Sequence, residues 1–219
     1  MESHEKIKKI NLDVDAVRRK LKSDNDFSSN PIDLILPVIK PFIGKGQIKL
    51  VILGQDPTIK NKTTRMNITC TLNLDKNNSL RRYIEDICTG LGITLDNVYA
   101  TNLFKYFYTI PPAETMEVLK IHLHPNLELL QQELAEFENA AIIALGEPVL
   151  QLLTDEKTKV RAFWDYNVKT GLTNGNFTFS MAKENKLKKD FFPFPHQPSL
   201  RKKFYEKTLP VYINFMKKQ

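Results

Sequence analysis

The run IKLVILGQDP, residues 48 to 57, joins the clearest strand of the chain to its most unusual turn. Its first six residues, IKLVIL, are mostly apolar and rich in β-branched side chains, which is typical of a strand covered on both faces. The apolar run stops at Gly54, and a carboxylate, Asp56, follows on a turn that Pro57 stiffens. A charged group held at the end of a buried strand indicates a functional site.

Length and composition predict a single folded unit. The chain has 219 residues, 42% of them hydrophobic, so we expect one domain over residues 1–219, with residues 1–45 as a helical lead-in. No apolar run approaches the roughly 18 to 20 residues of a membrane span. The N-terminal MESHEKIKKI also lacks the apolar segment of a secretory signal. We therefore expect an intracellular protein that is not secreted and has no membrane partner.

The chain is basic and poor in cysteine. A formal net charge of +7 favours a polyanionic partner such as nucleic acid, although many basic proteins bind none. Cys70 and Cys88 are expected to be reduced thiols, and two cysteines are too few for a four-cysteine zinc or iron–sulfur site. HLHP at 122–125 is interpreted as a loop and cap, and no P-loop or GxGxxG is present. No metal, iron–sulfur cluster or other cofactor is expected, and we expect a monomer.

Apolar strands alternate with amphipathic segments along the chain. Strands are predicted at 48–53, 97–103 and 140–146, and aromatic-rich extended segments at 177–182 and 191–195. Helices are predicted at 5–22, 78–93, 126–139, 147–153 and 199–216. Pro125 is expected to start the third of these helices, and Pro210 to break or kink the last. The alternation predicts a three-layer α/β sandwich with a central, mainly parallel four-stranded sheet flanked by helices.

Polar residues follow three of the predicted strands. Asp56 comes after the first strand, Asn102 ends the second, and His196 follows the last extended segment. Sites in open α/β sheets lie beyond the carboxyl ends of the strands. We therefore expect these three side chains to lie close together at one edge of the sheet.

These segments carry an ordered set of motifs. GQDP at 54–57, the Asn at 102, ALG at 144–146 and HQPSL at 196–200 together resemble the uracil-DNA glycosylase superfamily, over about residues 45–205. GQDP is similar to the water-activating motif of the family-1 enzymes. HQPSL resembles the loop with which these enzymes enter the DNA minor groove.

The resemblance implies a hydrolase that removes uracil, and related pyrimidines, from DNA after flipping the base out of the helix, and leaves an abasic site. It implies a role for each matching residue: Asp56 and His196 are catalytic, Gln55, Thr58 and Asn102 bind the base, and Ser79, Ser199, Leu200 and Lys202 contact DNA.

The chemistry of this reaction fits the residue types. A fixed carboxylate such as Asp56 can stabilise the oxocarbenium-like sugar and orient the attacking water. A histidine N–H at His196 can stabilise charge on the uracil O2, and the Asn102 amide matches the N3–H and O4 of uracil. Each residue also has a common structural use: Asp56 in a turn, Asn102 at a strand end, His196 in a loop and Leu200 in the core.

The chain departs from the family-1 pattern after GQDP. Thr58 and Ile59 stand where the family has Tyr and His, and the Tyr excludes the methyl group of thymine. The loop that follows has no Phe or Tyr to stack on the flipped base. Ile68, Cys70, Leu72 or an aromatic residue of 104–108 are the candidates to replace it. We therefore expect a wider pocket than in the family-1 enzymes.

Two functions remain open. The first is a monofunctional DNA glycosylase acting on uracil. The alternative is a non-catalytic DNA-binding module on the same fold. Thr58, Ile59 and the missing aromatic ring favour the module, whereas the set of Asp56, Asn102 and His196 favours the enzyme.

Overall fold

The strands of the computed structural model form one central sheet and one small hairpin. The structure describes residues 2–23, 31–112, 116–154, 158–167, 169–200 and 202–219. In chain order the strands are β1 (Phe42–Ile43), β2 (Leu50–Gly54), β3 (Val98–Asn102), β4 (Ala141–Leu145), β5 (Tyr166–Asn167), β6 (Leu172–Thr173) and β7 (Phe192–Phe194). The central sheet has the order β1-β3-β2-β4-β7, and β5 pairs with β6 in the hairpin.

The central sheet is mainly parallel. Strands β3, β2, β4 and β7 run in the same direction, and only the short β1 is antiparallel to its neighbour. Every residue of β2 and β3 is buried, so both faces of these strands are covered, as the apolar run predicts. The sequence did not predict β1, because a two-residue strand in a proline-rich segment has no periodicity to detect.

Helices cover both faces of the sheet. They are α1 (Glu2–Ser23), α2 (Lys62–Arg65), α3 (Ser79–Leu91), α4 (Met116–Leu134), α5 (Glu147–Thr154), α6 (Val160–Phe163), α7 (Gln197–Leu200) and α8 (Lys203–Met216). Helix α4 contacts α1 and α5, whereas α3 contacts α7 and α8. The three-layer α/β sandwich predicted from the sequence is therefore confirmed. Residues 24–30 of the predicted lead-in lie outside the described residues.

Helix α3 shows how local sequence sets an element's ends. The Asn78 side chain accepts a hydrogen bond from the backbone N–H of Arg81 at 2.8 Å and caps the first turn. Gly92 ends the helix in a left-handed conformation with φ of 74°, which glycine adopts without strain. The predicted helix at 78–93 is confirmed.

Helix α4 corrects the prediction around Pro125. The helix begins at Met116, and Pro125, Asn126 and the HLHP segment lie inside it. A proline interior to a helix removes one backbone hydrogen bond. Here the Asn126 side chain donates to the carbonyl of His122 at 2.8 Å, and His122 Nδ1 lies 3.1 Å from the buried Tyr108 hydroxyl. Packing of this face therefore holds a helix that the local sequence does not favour.

The C-terminal helix also differs from its prediction. It is divided into α7 and α8 between Leu200 and Lys203, and α8 continues across Pro210. Beyond the proline, the Tyr212 ring stacks on Trp164 with ring centroids 4.4 Å apart, which holds the last turns in place. Arg201 of the predicted helix lies outside the described residues.

The two aromatic-rich segments near the end behave differently. Residues 191–195 contain β7, and Pro193 is tolerated there because β7 is an edge strand of the sheet. Residues 177–182 form no strand beyond a bridge between Ser180 and Phe191, so that prediction is wrong. The Thr178 carbonyl accepts a hydrogen bond from the Tyr212 hydroxyl at 2.8 Å instead of joining a strand ladder. In the part of the chain described here, no helix has the length and apolarity needed to cross a membrane.

Candidate active site

A cavity of about 420 Å³ opens at the carboxyl ends of β2, β3 and β4. Asp56, Asn102 and His196 all line it, so the structure brings together the three polar residues that follow the predicted strands. Gln55 and Thr58 line the same cavity. The parallel sheet causes this convergence, because it delivers the ends of successive strands to one edge.

Asp56 is held by a tight turn at the base of the following loop. Its Oδ1 accepts the backbone N–H of Thr58 at 2.7 Å, and the Thr58 hydroxyl in turn accepts the backbone N–H of Tyr108 at 2.8 Å. Burial raises the pKa of Asp56 to about 6, although hydrogen bonds from Thr58 and the charge of Arg65 oppose the rise. The carboxyl group is therefore ionised at neutral pH but poorly solvated.

Asn102 ends β3 directly opposite Gly54 in the strand register. Its side chain is 1% exposed, and its Oδ1 has no hydrogen-bond partner. A Cβ atom on residue 54 would lie 2.3 Å from that Oδ1, so only glycine leaves room for the amide. An unsatisfied buried amide that lines a cavity is suited to bind a polar ligand.

A buried ion pair lies beneath the end of β3. Lys105 Nζ is 2.5 Å from Glu133 Oε2, and both side chains are almost fully buried. Lys105 also donates to the Thr101 hydroxyl, and the Tyr99 hydroxyl donates to Glu133. These polar groups fix β3 immediately before Asn102. No sequence motif identified these residues in advance; the signal was a lysine within the aromatic run FKYFY at 104–108.

His196 follows β7 at the exposed rim of the cavity. The Pro195 carbonyl before it accepts the Tyr83 hydroxyl at 3.1 Å, and its own carbonyl accepts the Ser199 N–H at 2.8 Å. Both flanking carbonyls are thus anchored. The protein atoms around the imidazole disfavour its charged form by desolvation and lower the pKa of His196. At neutral pH the ring is uncharged and carries one N–H donor.

The residues predicted to contact DNA are only partly brought to this site. Ser199 and Lys202 line an adjoining cavity of about 180 Å³ that shares His196 with the first. Leu200 is partly buried and packs against the core. Ser79 is exposed at the start of α3 and lines neither cavity.

The aromatic run at 104–108 does not supply a stacking ring. Its four aromatic residues are fully buried in the core, and none lines the cavity. Of the other candidates, Ile68 and Leu72 line the cavity and Cys70 does not. No Phe, Tyr or Trp is found among the described residues that form the cavity wall.

The closing loop of the cavity, residues 57–73, contains two residues that the sequence did not single out. Arg65 is 2% exposed, and it donates from Nε to the Ile59 carbonyl and from Nη1 to the Tyr108 carbonyl, both at 2.8 Å. Asn73 lines the cavity, has a φ of 50° and carries a buried Oδ1 without a partner. No motif marks either residue, because their surroundings are formed by segments that are distant in the sequence.

Possible metal ligands are not clustered. Within residues 2–23, 31–112, 116–154, 158–167, 169–200 and 202–219, no group of three or more His, Cys, Asp or Glu side chains could hold a metal ion. Both cysteines are free thiols.

Comparison with known proteins places the chain in a family. A sequence model described as the uracil DNA glycosylase superfamily matches residues 41–216, which include every strand of the central sheet and all the cavity residues discussed above. A search of curated proteins found no match. Because the match covers most of the 219 residues, the chain belongs to the uracil DNA glycosylase superfamily, whose members are generally DNA glycosylases.

Proposed function

We propose that the protein is a monofunctional DNA glycosylase that hydrolyses the N-glycosidic bond of uracil in DNA and leaves an abasic site. The observation that carries this proposal is the meeting of Asp56, Asn102 and His196 in one cavity at the carboxyl edge of the sheet. The reaction needs a group for each part of its transition state: the cationic sugar, the departing base and the attacking water.

Asn102 is the proposed reader of the base. Its Oδ1 accepts the N3–H of uracil, and its Nδ2 donates to O4, which satisfies the amide oxygen that now lacks a partner. Cytosine presents an amino group and an unprotonated N3 at the same positions. The Asn102 Nδ2 donor would then face another donor, and the Oδ1 acceptor would face another acceptor. A buried site built for hydrogen bonds discriminates strongly against such a mismatch.

Asp56 is the proposed catalytic carboxylate. Its pKa of about 6 leaves it charged at neutral pH, and its poor solvation strengthens its attraction for the cationic sugar. It also orients the water that attacks C1′. The hydrogen bond from Thr58 fixes the direction of the carboxylate before substrate arrives, so little reorganisation is needed.

His196 is the proposed donor to the uracil O2. Because desolvation lowers its pKa, the imidazole reaches the substrate uncharged and donates a neutral N–H to the oxygen as negative charge develops there. The hydrogen bonds to the carbonyls of Pro195 and His196 hold the backbone of His196 at the rim of the cavity.

The DNA backbone is proposed to run past α7. Ser199 and Lys202 lie beside the base cavity and would contact phosphates, with Ser79 as a further contact on α3. Leu200 would fill the space that the flipped base leaves in the helix. With a net charge of +7, binding should weaken steeply as salt increases.

One observation favours the alternative, a DNA-binding module without catalysis. No aromatic ring lines the cavity in the part of the chain that the structure describes, and base–aromatic stacking is worth about 1 to 3 kcal/mol per base. A pocket without such a ring holds a flipped base more weakly.

The two functions differ in a gel assay of strand cleavage at abasic sites. Oligonucleotides carry uracil, thymine opposite guanine, or hypoxanthine, in single- and double-stranded form, with cytosine in place of uracil as the matched control. The glycosylase predicts cleavage at uracil and none at cytosine. Salt-sensitive binding with no cleavage of any oligonucleotide would overturn the enzyme and favour the module.

A further inference from the structure

One turn in the wall of the cavity has an unusual backbone. In the 3₁₀ turn Thr71–Asn73, two consecutive residues that are not glycine have positive φ, 59° at Leu72 and 50° at Asn73. Asparagine tolerates this conformation better than most residues, but leucine does not. Such strain is retained where the surrounding structure imposes it, and it is concentrated at functional sites. Both residues line the cavity.

The turn itself does not need the Asn73 side chain. Its backbone N–H donates to the Cys70 carbonyl at 3.1 Å, and its own carbonyl accepts the Asn78 side chain at 2.9 Å and the Lys76 N–H at 3.0 Å. The Asn73 Oδ1, in contrast, is buried and has no hydrogen-bond partner. A purely structural asparagine in a turn normally bonds its own backbone with this oxygen.

The donors and acceptors of uracil leave this oxygen unmatched. Uracil offers one N–H donor, at N3, and the proposed function assigns it to Asn102. The acceptors O2 and O4 are served by His196 and the Asn102 Nδ2, and the buried, unpartnered Gln55 Nε2 can add a further donor. Asn73 Oδ1 is an acceptor, so uracil has no group left for it. An acceptor that stays unpaired in a closed site counts against the ligand that leaves it so.

The position of the missing donor follows from the ring. N1 is bonded to the sugar, C2 to C4 carry the edge that Asn102 and His196 read, and C6 lies next to the sugar. C5 is the ring position that remains free to carry a substituent. Thr58, which lines the same cavity, has a short side chain, and its hydroxyl already accepts the Tyr108 N–H.

We propose that Asn73 is a specificity-determining residue that accepts a hydrogen bond from a hydroxyl group carried by a substituent at C5 of the flipped base. The preferred substrates are then uracils with a hydroxyl-bearing substituent at C5, while Leu72 supplies an apolar wall beside them. This inference rests on the proposed glycosylase function and adds to it the class of base that the cavity favours.

The test compares three bases in one duplex context: uracil, thymine and 5-hydroxymethyluracil. Thymine and 5-hydroxymethyluracil both have a carbon substituent at C5, and only the second carries a donor. Single-turnover excision is measured for the wild type, Asn73→Gly and Asn73→Asp. Glycine accepts the positive φ of residue 73 without strain, so the change removes the amide while it suits the backbone. Aspartate retains an acceptor oxygen.

A matched control is available at Lys188. This residue is exposed, has a φ of 57° and does not line the cavity, so Lys188→Gly is the same kind of change away from the site. All three excision rates should stay unchanged in that variant.

In the wild type, 5-hydroxymethyluracil should be excised at least about tenfold faster than thymine, as expected for a buried hydrogen bond that only one substrate makes. In Asn73→Gly, the ratio of the 5-hydroxymethyluracil rate to the thymine rate should fall most of the way towards one. The ratio that remains measures the intrinsic difference between the two leaving groups. Asn73→Asp should keep most of the ratio.

The outcomes separate the two claims. If the wild type excises uracil but does not excise 5-hydroxymethyluracil faster than thymine, the role of Asn73 is overturned and the glycosylase stands. The same follows if the ratio of these two rates is equal in the wild type and in Asn73→Gly. A ratio that falls as far in Asn73→Asp as in Asn73→Gly would also overturn it. No excision of any base by the wild type would overturn the proposed function, and the specificity with it.

Discussion

The strand edge and the closing loop face the same cavity but are built by different means. The strand edge, Gly54 and Asn102, is fixed by the ladder between β2 and β3, where each residue has one register partner and is buried. The closing loop, residues 57–73, contains one short helix, a strained 3₁₀ turn and a buried arginine. In the proposed function, Asn102 at the strand edge reads the part of the ring that all uracils share, whereas Asn73 in the loop selects the substituent at C5.

Among changes that leave the proposed catalytic groups in place, we expect Gly54→Ala at the strand edge to lower the rate of uracil excision most. The added Cβ would lie 2.3 Å from the Asn102 Oδ1 and would displace the amide from its position. We expect uracil excision to fall about 10²-fold, since a base-reading group that is out of place loses its hydrogen bonds in the transition state. Single-turnover kinetics on a uracil duplex measures this. Excision at the wild-type rate would show that the close approach at Gly54 is unimportant.

For the loop we expect a smaller effect, seen mainly in stability. Arg65→Lys keeps the charge but loses the fork that bonds the carbonyls of Ile59 and Tyr108. The free energy of unfolding should fall by about 1 to 3 kcal/mol, and excision should slow by less than in Gly54→Ala. Chemical denaturation gives the first value. The control is Arg81→Lys, because Arg81 is more exposed although it also bonds a carbonyl. Equal losses in both variants would contradict a special role for the loop arginine.

The pH dependence of activity tests the carboxylate of Asp56, two residues beyond the end of β2. Burial raises the pKa of Asp56 to about 6, and the proposed mechanism needs the ionised form. The single-turnover rate should therefore fall about tenfold for each pH unit below that value, and be level above it. The same midpoint should persist in a slower His196→Asn variant, which removes the other titrating group of the cavity. A midpoint near that of an ordinary aspartate would contradict the burial of the charge.

The smallest effect is a gain in stability. The pKa of Asp56 is higher in the folded protein than in the unfolded chain, so folding holds its proton more tightly, and its charge costs stability as the pH rises from about 4 to 6. Asp56→Asn removes this cost and keeps an Oδ1 that can accept the Thr58 N–H. Because Asp56 keeps some contact with solvent, we expect a rise in Tm of only about 2 to 4 °C at neutral pH, and less in acid. A fall in Tm at neutral pH would indicate a structural carboxylate.

Much of the strand edge was predictable because its signals are local. The apolar runs of β2, β3 and β4 identified the strands, and the parallel topology then placed Asp56, Asn102 and His196 together. The assigned roles of these residues, and the single domain over residues 1–219, stay predictions.

The errors have a common physical origin. Pro125 was expected to start a helix and Pro210 to break or kink one. Both helices instead continue across their prolines, and tertiary packing around His122 and Tyr212 holds them. The aromatic run at 104–108 offered a stacking ring by its composition, and the fold buries every one of its rings. Arg65 bonds the carbonyl of Tyr108, which is distant in the sequence, and Asn73 lines a cavity formed by several distant segments. No local sequence pattern records such contacts.

The most direct test of the proposed function is the rate of uracil release by Asp56→Asn, measured together with its affinity for the same DNA. Asp33→Asn is the matched control, since the Asp33 Oδ1 also accepts a backbone N–H two residues ahead, but lies outside the base cavity. We predict that Asp56→Asn lowers the single-turnover rate about 10²- to 10⁴-fold while DNA affinity stays close to that of the wild type. Uracil release by Asp56→Asn at the rate of the wild type and of Asp33→Asn would contradict the proposed mechanism.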